Sequence, residues 1–162
     1  MEINDQARKE LLAQVELLSD EEINQKPAEN RWSIKQLLQH LYLMEGSVAK
    51  SIQQRLASDE QNITTDKPIQ LTVDRSTKVD APDFVTPTDD FATLDELKTK
   101  LSATHAMLHD ISENTTEDQL AVKSNPHPVF GEMSLTQWIP FVGYHELRHI
   151  KQIKEVKQQL GI

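Results

Sequence analysis

The sequence predicts an all-α protein. Glycine is scarce, at four of 162 residues, and apolar residues recur at three- and four-residue steps over long segments. At several segment starts, Ser or Thr stands three residues before Glu or Gln. That capping-box pattern supplies partners for the first orphan amides of a helix.

The first segment runs from about Asn4 to Leu18, with Ala7, Leu11, Leu12, Val15 and Leu18 at helical spacing and Asn4 or Asp5 as its cap. Ser19 and Glu22 form a capping box for a short turn through Ile23. Lys26-Pro27 to Arg31 reads as a loop, because the residue before proline is pushed out of the α region. The second long segment opens with Ser33 and Gln36 as a capping box and Trp32 in the position of a hydrophobic staple. Its stripe is Ile34, Leu37, Leu38, Leu41, Val48, Ile52 and Leu56, on a helix of about 36 Å. His40 lies on the flank of this stripe with Met44 and Ser47. Taken alone, it reads as a boundary histidine in contact with water.

From Ser58 to Asp90 the periodicity stops. Pro68, Pro82 and Pro87 punctuate a connection of about 30 residues, far longer than most helix–helix loops. Ile69-Gln70-Leu71-Thr72-Val73 alternates in the manner of an extended piece. Such a connection suits a crossover running the length of a bundle. The third long segment, capped by Thr93 and Glu96, runs to about Ser112 on Leu94, Leu97, Leu101, Leu108 and Ile111. It carries His105 and His109, which read as structural or solvent-facing. Thr116 to Leu120 fits a further helical turn. Asn125 to Gly131 reads as a rigid loop from which His127 either overhangs a site or orders the loop itself.

The last segment spans Ser134 to Leu160, with Leu135, Trp138, Val142, His149, Ile153, Val156 and Leu160 as its stripe. Ser134 and Gln137 are a capping box, and Gly161 suits a left-handed C-cap. Pro140 predicts a kink or a late start. His145 and His149, four residues apart, point off one side of the helix. Their ring nitrogens need partners at a core seam. Hydrogen bonds to neighbours would meet that need, and so would a divalent metal, since a helical His pair is a common half of a zinc site.

Composition narrows the chemistry. The absence of cysteine excludes disulfides, thiolate metal sites, Fe–S clusters and Cys nucleophiles. A net charge of −9, from 26 acidic and 17 basic residues, argues against nucleic-acid binding. No apolar run is long enough for a membrane span and Met1 opens no signal-peptide pattern, so a cytoplasmic protein without a membrane partner is expected. The length fits a single domain over residues 1–162.

Three stretches together resemble the DinB/YfiT-like superfamily. They are Arg31-Trp32-Ser33 through His40-Leu41, the loop His127-Pro128-Val129-Phe130-Gly131, and Trp138 followed by His145-Glu146-Leu147-Arg148-His149-Ile150-Lys151-Gln152-Ile153. The resemblance implies a four-helix bundle with a long crossover between helices 2 and 3. It also implies one divalent metal ion, zinc or nickel, held by His40, His145 and His149. Three imidazoles with positions left for water make a catalytic rather than a structural composition. The family includes metal-dependent hydrolases and transferases that add a low-molecular-weight thiol, such as bacillithiol, to electrophilic small molecules. Homodimers are common among its members. Glu45, one turn beyond His40, and Glu146 stand either as supporting groups or catalytic bases, or as ordinary ion-paired carboxylates.

Two rival readings are set beside this one. His145-Glu146-x-x-His149 matches the H-E-x-x-H pattern of zincin metalloproteases. Only residues 150–162 follow it, which leaves little chain for a downstream ligand. The third reading is a non-enzymatic, dimeric stress protein.

Overall fold

The computed structural model describes residues 1–162. Its helices are α1 (Glu2–Val15), α2 (Asp20–Asn24), α3 (Ile34–Ala57), α4 (Leu94–Asn114), α5 (Glu117–Ala121) and α6 (Leu135–Leu160). Strands β1 (Ser124–His127) and β2 (Gly131–Ser134) form one antiparallel hairpin. The four long helices make a bundle in which α1 packs on α6, α3 on α4, and α3 also on α6. No helix is long and apolar enough to cross a membrane.

The helix starts follow from their side chains. Ser33 Oγ accepts from the Gln36 amide at 3.1 Å, and Gln36 Oε1 accepts from the Ser33 amide at 2.9 Å. The same reciprocal pair closes the starts of α2, α4 and α5. The stripes then meet. Leu11 and Val15 of α1, Leu37, Leu38 and Leu41 of α3, Leu97 and Leu101 of α4, and Ile150 and Ile153 of α6 share one buried cluster. Truncating one such leucine to alanine costs about 2–5 kcal/mol.

Five local expectations are corrected. First, α1 starts at Glu2 with no side-chain cap and ends at Val15. Asn4 is buried instead, and its Nδ2 donates to the Ile139 carbonyl of α6 at 2.8 Å. Second, α6 starts at Leu135 and runs through Pro140, so the start is not late. Third, Gln137 leaves the capping box: its amide binds both the N–H and the carbonyl of Lys67, at 2.8 and 2.9 Å. Fourth, Ile69–Val73 is a 3-10 turn packed on α6. With no neighbouring strand, an extended segment there would leave its amides without partners, and the turn closes them internally. Fifth, Asn125 to Gly131 lies in the hairpin, with His127 paired to Gly131, whose φ of 73° suits glycine.

The connection from α3 to α4 is held on two helices. Its Ile69–Val73 turn lies on α6, and a second 3-10 turn, Asp83–Val85, lies on α3. Arg148 of α6 donates to the carbonyls of Thr72, Asp74 and Thr77. Arg75 in the connection pairs with Glu155 of α6 at 2.9 Å.

Candidate functional site

His40 on α3 and the His145–His149 pair on α6 face one another where these helices pack. All three side chains are buried, with His40 only 3 % exposed, which corrects its reading as a water-facing boundary residue. The Nε2 atom of His145 lies 3.2 Å from that of His40 and 3.2 Å from that of His149. The ring of Trp32 covers His40, with centroids 5.3 Å apart.

Hydrogen bonds on the far side of two rings assign their tautomers. His40 Nδ1 is 2.8 Å from the Val85 carbonyl, which can only accept, so Nδ1 carries the proton. His149 Nδ1 is 2.9 Å from Gln152 Oε1, again an acceptor. Both Nε2 atoms therefore present lone pairs. His145 Nε2 can donate its single hydrogen to only one of them, and the other contact is left with no hydrogen between its nitrogens. A cation at the centre removes that conflict. Burial holds the His40 pKa below its ordinary value, pushes His149 down to about 3, and holds His145 well down with help from its two neighbours. The rings are thus neutral at pH 7, the form that ligates metal. Their ligand atoms lie within 4.8 Å of one another, close enough for one ion.

Glu45 and Glu146 lie in a different network. Arg8 Nε donates to Glu146 Oε1 at 2.8 Å, and Arg8 Nη2 donates to Glu45 Oε1 at 2.9 Å and Glu146 Oε2 at 3.2 Å. Thr104 Oγ1 adds a bond to Glu45 at 2.7 Å. Both carboxylates are thus buried and ion-paired with Arg8. The Glu146 of H-E-x-x-H is accordingly held by Arg8 through both oxygens.

The remaining histidines divide. His105 and His109 of α4 both meet Asp5 of α1, with Nε2 to Oδ1 distances of 2.9 and 2.5 Å. His127 orders its own turn, accepting at Nδ1 from the Val129 and Phe130 amides at 3.0 and 3.1 Å. Its ring also lies 4.7 Å from Phe141, whose ring is 6.0 Å from His145. Aromatic side chains therefore reach from the hairpin to the histidine cluster.

Sequence reasoning passed over Arg8, Val85 and Gln152. Arg8 stands three and seven residues before Leu11 and Val15 of the α1 stripe, and a lone arginine there was a visible sign of a buried charge. Gln152 follows His149 by three, on the same face. The Val85 carbonyl carries no local signal, since backbone position 45 residues away from His40 depends on how the connection folds back.

The four-helix bundle is an architecture that solved structures of other proteins share. The model of the DinB superfamily matches residues 3–153, and the chain belongs to that superfamily. It is 34 % identical over 160 residues to YuaE of Bacillus subtilis (strain 168), covering 99 % of this chain and 98 % of YuaE. Among solved structures, TT2238, a four-helix bundle protein, superposes with a TM-score of 0.63 at 19 % identity, over 95 % of this chain and 94 % of TT2238. YfiT from Bacillus subtilis, described as a probable metal-dependent hydrolase with an unusual four-helix bundle topology, superposes with a TM-score of 0.66 at 16 % identity, over 99 % of this chain and 85 % of YfiT. At these identities the two structures show the shared fold.

Proposed function

We propose that this chain is a divalent-metal-dependent enzyme acting on small molecules, with one zinc or nickel ion held by His40, His145 and His149. The observation that carries the reading is the convergence of three Nε2 atoms, two of them with the opposite ring nitrogen already engaged. Neutral imidazole suits zinc and nickel. Three protein ligands leave at least one position for a reactant. The description of YfiT as a probable metal-dependent hydrolase supports the same class.

An ion held there would lower the pKa of a water or a low-molecular-weight thiol, so that either is a nucleophile near neutral pH. The Val85 carbonyl and Gln152 hold the His40 and His149 rings in register. Fixing the tautomer in this way also raises ligand basicity. Trp32 packs 5.3 Å from the His40 ring and Phe141 6.0 Å from the His145 ring, so apolar aromatic side chains flank the cluster. Water as nucleophile gives hydrolysis; a thiol gives S-transfer to an electrophile.

Metal analysis of the purified full chain is expected to find a zinc or nickel ion at this cluster that His149→Ala removes. The metal-loaded protein is expected to melt higher than the chelated one, by about 4 kcal/mol of binding energy at a thousandfold excess over Kd. Assays with bacillithiol and a chloro-aromatic electrophile, against a panel of esters and amides, divide transfer from hydrolysis. No ion at this site, together with an unchanged melting temperature for His149→Ala, would sink the proposal.

A further inference from the structure

Outside the histidine cluster, the densest group of ligand-type side chains is Asp5, His105 and His109. Asp5 projects from α1, and the two histidines project from successive turns of α4. The carboxylate Oδ1 and one nitrogen of each ring lie within 4.8 Å of one another. The two rings are 5.0 Å apart and nearly perpendicular.

The side away from solvent is built as metal centres are built. His105 Nδ1 lies 3.1 Å from Oε2 of Glu45, which is 1 % exposed and is itself held by Arg8 and Thr104. A buried carboxylate bonded to Nδ1 sets the ring angle, leaves Nε2 as the ligand and raises its basicity. Glu113 Oε1 stands 3.9 Å from His109 Nδ1, on the corresponding side of the second ring. The other face opens into a depression of about 400 Å³ lined by Arg8, Leu101, His105, His109 and Glu113, among others. Water or an external ligand can complete the coordination there. Arg8 and Lys98 bring positive charge to the depression. Asp5, Glu45 and Glu113 oppose it, and Glu146 shares the Arg8 charge.

We propose that Asp5, His105 and His109 form a second, solvent-accessible site for a divalent transition-metal ion of the zinc type, with Glu45 as the positioning residue behind His105. One oxygen and two imidazoles suit zinc, nickel or cobalt better than magnesium or calcium. Ligand atoms about 2.1 Å from a tetrahedral ion stand roughly 3.4 Å apart. Asp5 must therefore retreat slightly from the 2.5 and 2.9 Å contacts it makes with the rings. Its side chain is half exposed and free to do so. The ion takes the place of the proton on each Nε2, and each ring carries its remaining proton on Nδ1, facing Glu45 in His105 and Glu113 in His109; any further ring proton leaves to solvent. The site shares no ligand with His40, His145 and His149, and the inference does not depend on the function proposed for them.

The test is equilibrium dialysis of the full chain against Zn²⁺, repeated with Co²⁺ and followed by absorption. Wild type is expected to take up two ions. Asp5→Asn and His109→Gln change surface groups and leave the core intact; each is expected to weaken one site by more than about tenfold, the scale of loss seen even for outer groups. His149→Ala is expected to spare that site and remove the other, and His109→Gln with His149→Ala to bind none. One ion lost with His109→Gln but not with His149→Ala would support this site and count against the proposed catalytic centre. Stoichiometry and affinity unchanged in both Asp5→Asn and His109→Gln would overturn it.

Discussion

Which nitrogen carries the proton separates the histidines of this protein. His40 and His149 donate at Nδ1 and offer Nε2 to the cluster. His127 does the reverse: its Nδ1 accepts two amides, so the proton sits on Nε2. Protonating Nδ1 would set an N–H against two N–H donors, and burial alone already lowers the His127 pKa from 6.5 to about 4. Between those values the unfolded chain binds a proton that the folded chain refuses. Stability from His127 is therefore fully present above about pH 6.5 and is lost as the pH falls toward 4. Urea titrations from pH 7 to 4 are expected to show a shallower acid loss in His127→Asn than in wild type. A His127 ring that titrates near 6.5 by NMR would contradict this. Residue identity and spacing placed His145 and His149 together. They left His40 on the water side, because a helical flank is buried or wet according to what packs against it.

At the scale of the element, capping boxes were legible at α2, α3 and α4, since the pattern is complete within four residues. The start of α1 was not. Asn4, a good cap by type, turns to the Ile139 carbonyl because α1 and α6 approach closely at Gly143. A Cβ there would lie 3.1 Å from the Asn4 amide nitrogen and from Ile3 Cγ2, and 3.2 Å from Asn4 Cα. Helix propensity favours alanine over glycine by about 1 kcal/mol. The clash is with backbone, which cannot yield without shifting α1, and overpacking of this kind costs about 1–3 kcal/mol. Gly143→Ala is expected to lower stability by about 1 kcal/mol in urea denaturation; equal or greater stability would show that the helices can part freely. The hairpin was hidden by Pro126 and Pro128, which read as loop. A two-stranded ribbon is all edge, and an edge tolerates proline.

Across the whole molecule, the connection between α3 and α4 supplies the Val85 carbonyl that orients His40, and Arg148 of α6 clamps that connection through Thr72, Asp74 and Thr77. Arg148→Ala is expected to speed amide exchange over residues 69–77 and to weaken metal binding at the three-histidine cluster by about tenfold, as loss of outer support does. Exchange rates matching wild type would remove the clamp from the account. The sequence by itself determined four long helices, most of their caps, the His145–His149 pair and the family resemblance. Those depend on contacts within one or two helical turns and on motifs read directly. Only the tertiary structure decided that Arg8 captures Glu45 and Glu146, across 37 and 138 positions, and that Asp5 meets His105 and His109. A carboxylate on an amphipathic helix looks the same whether it faces a ring, a guanidinium or water. What it meets is set by how the helices pack, which spacing along one helix does not encode.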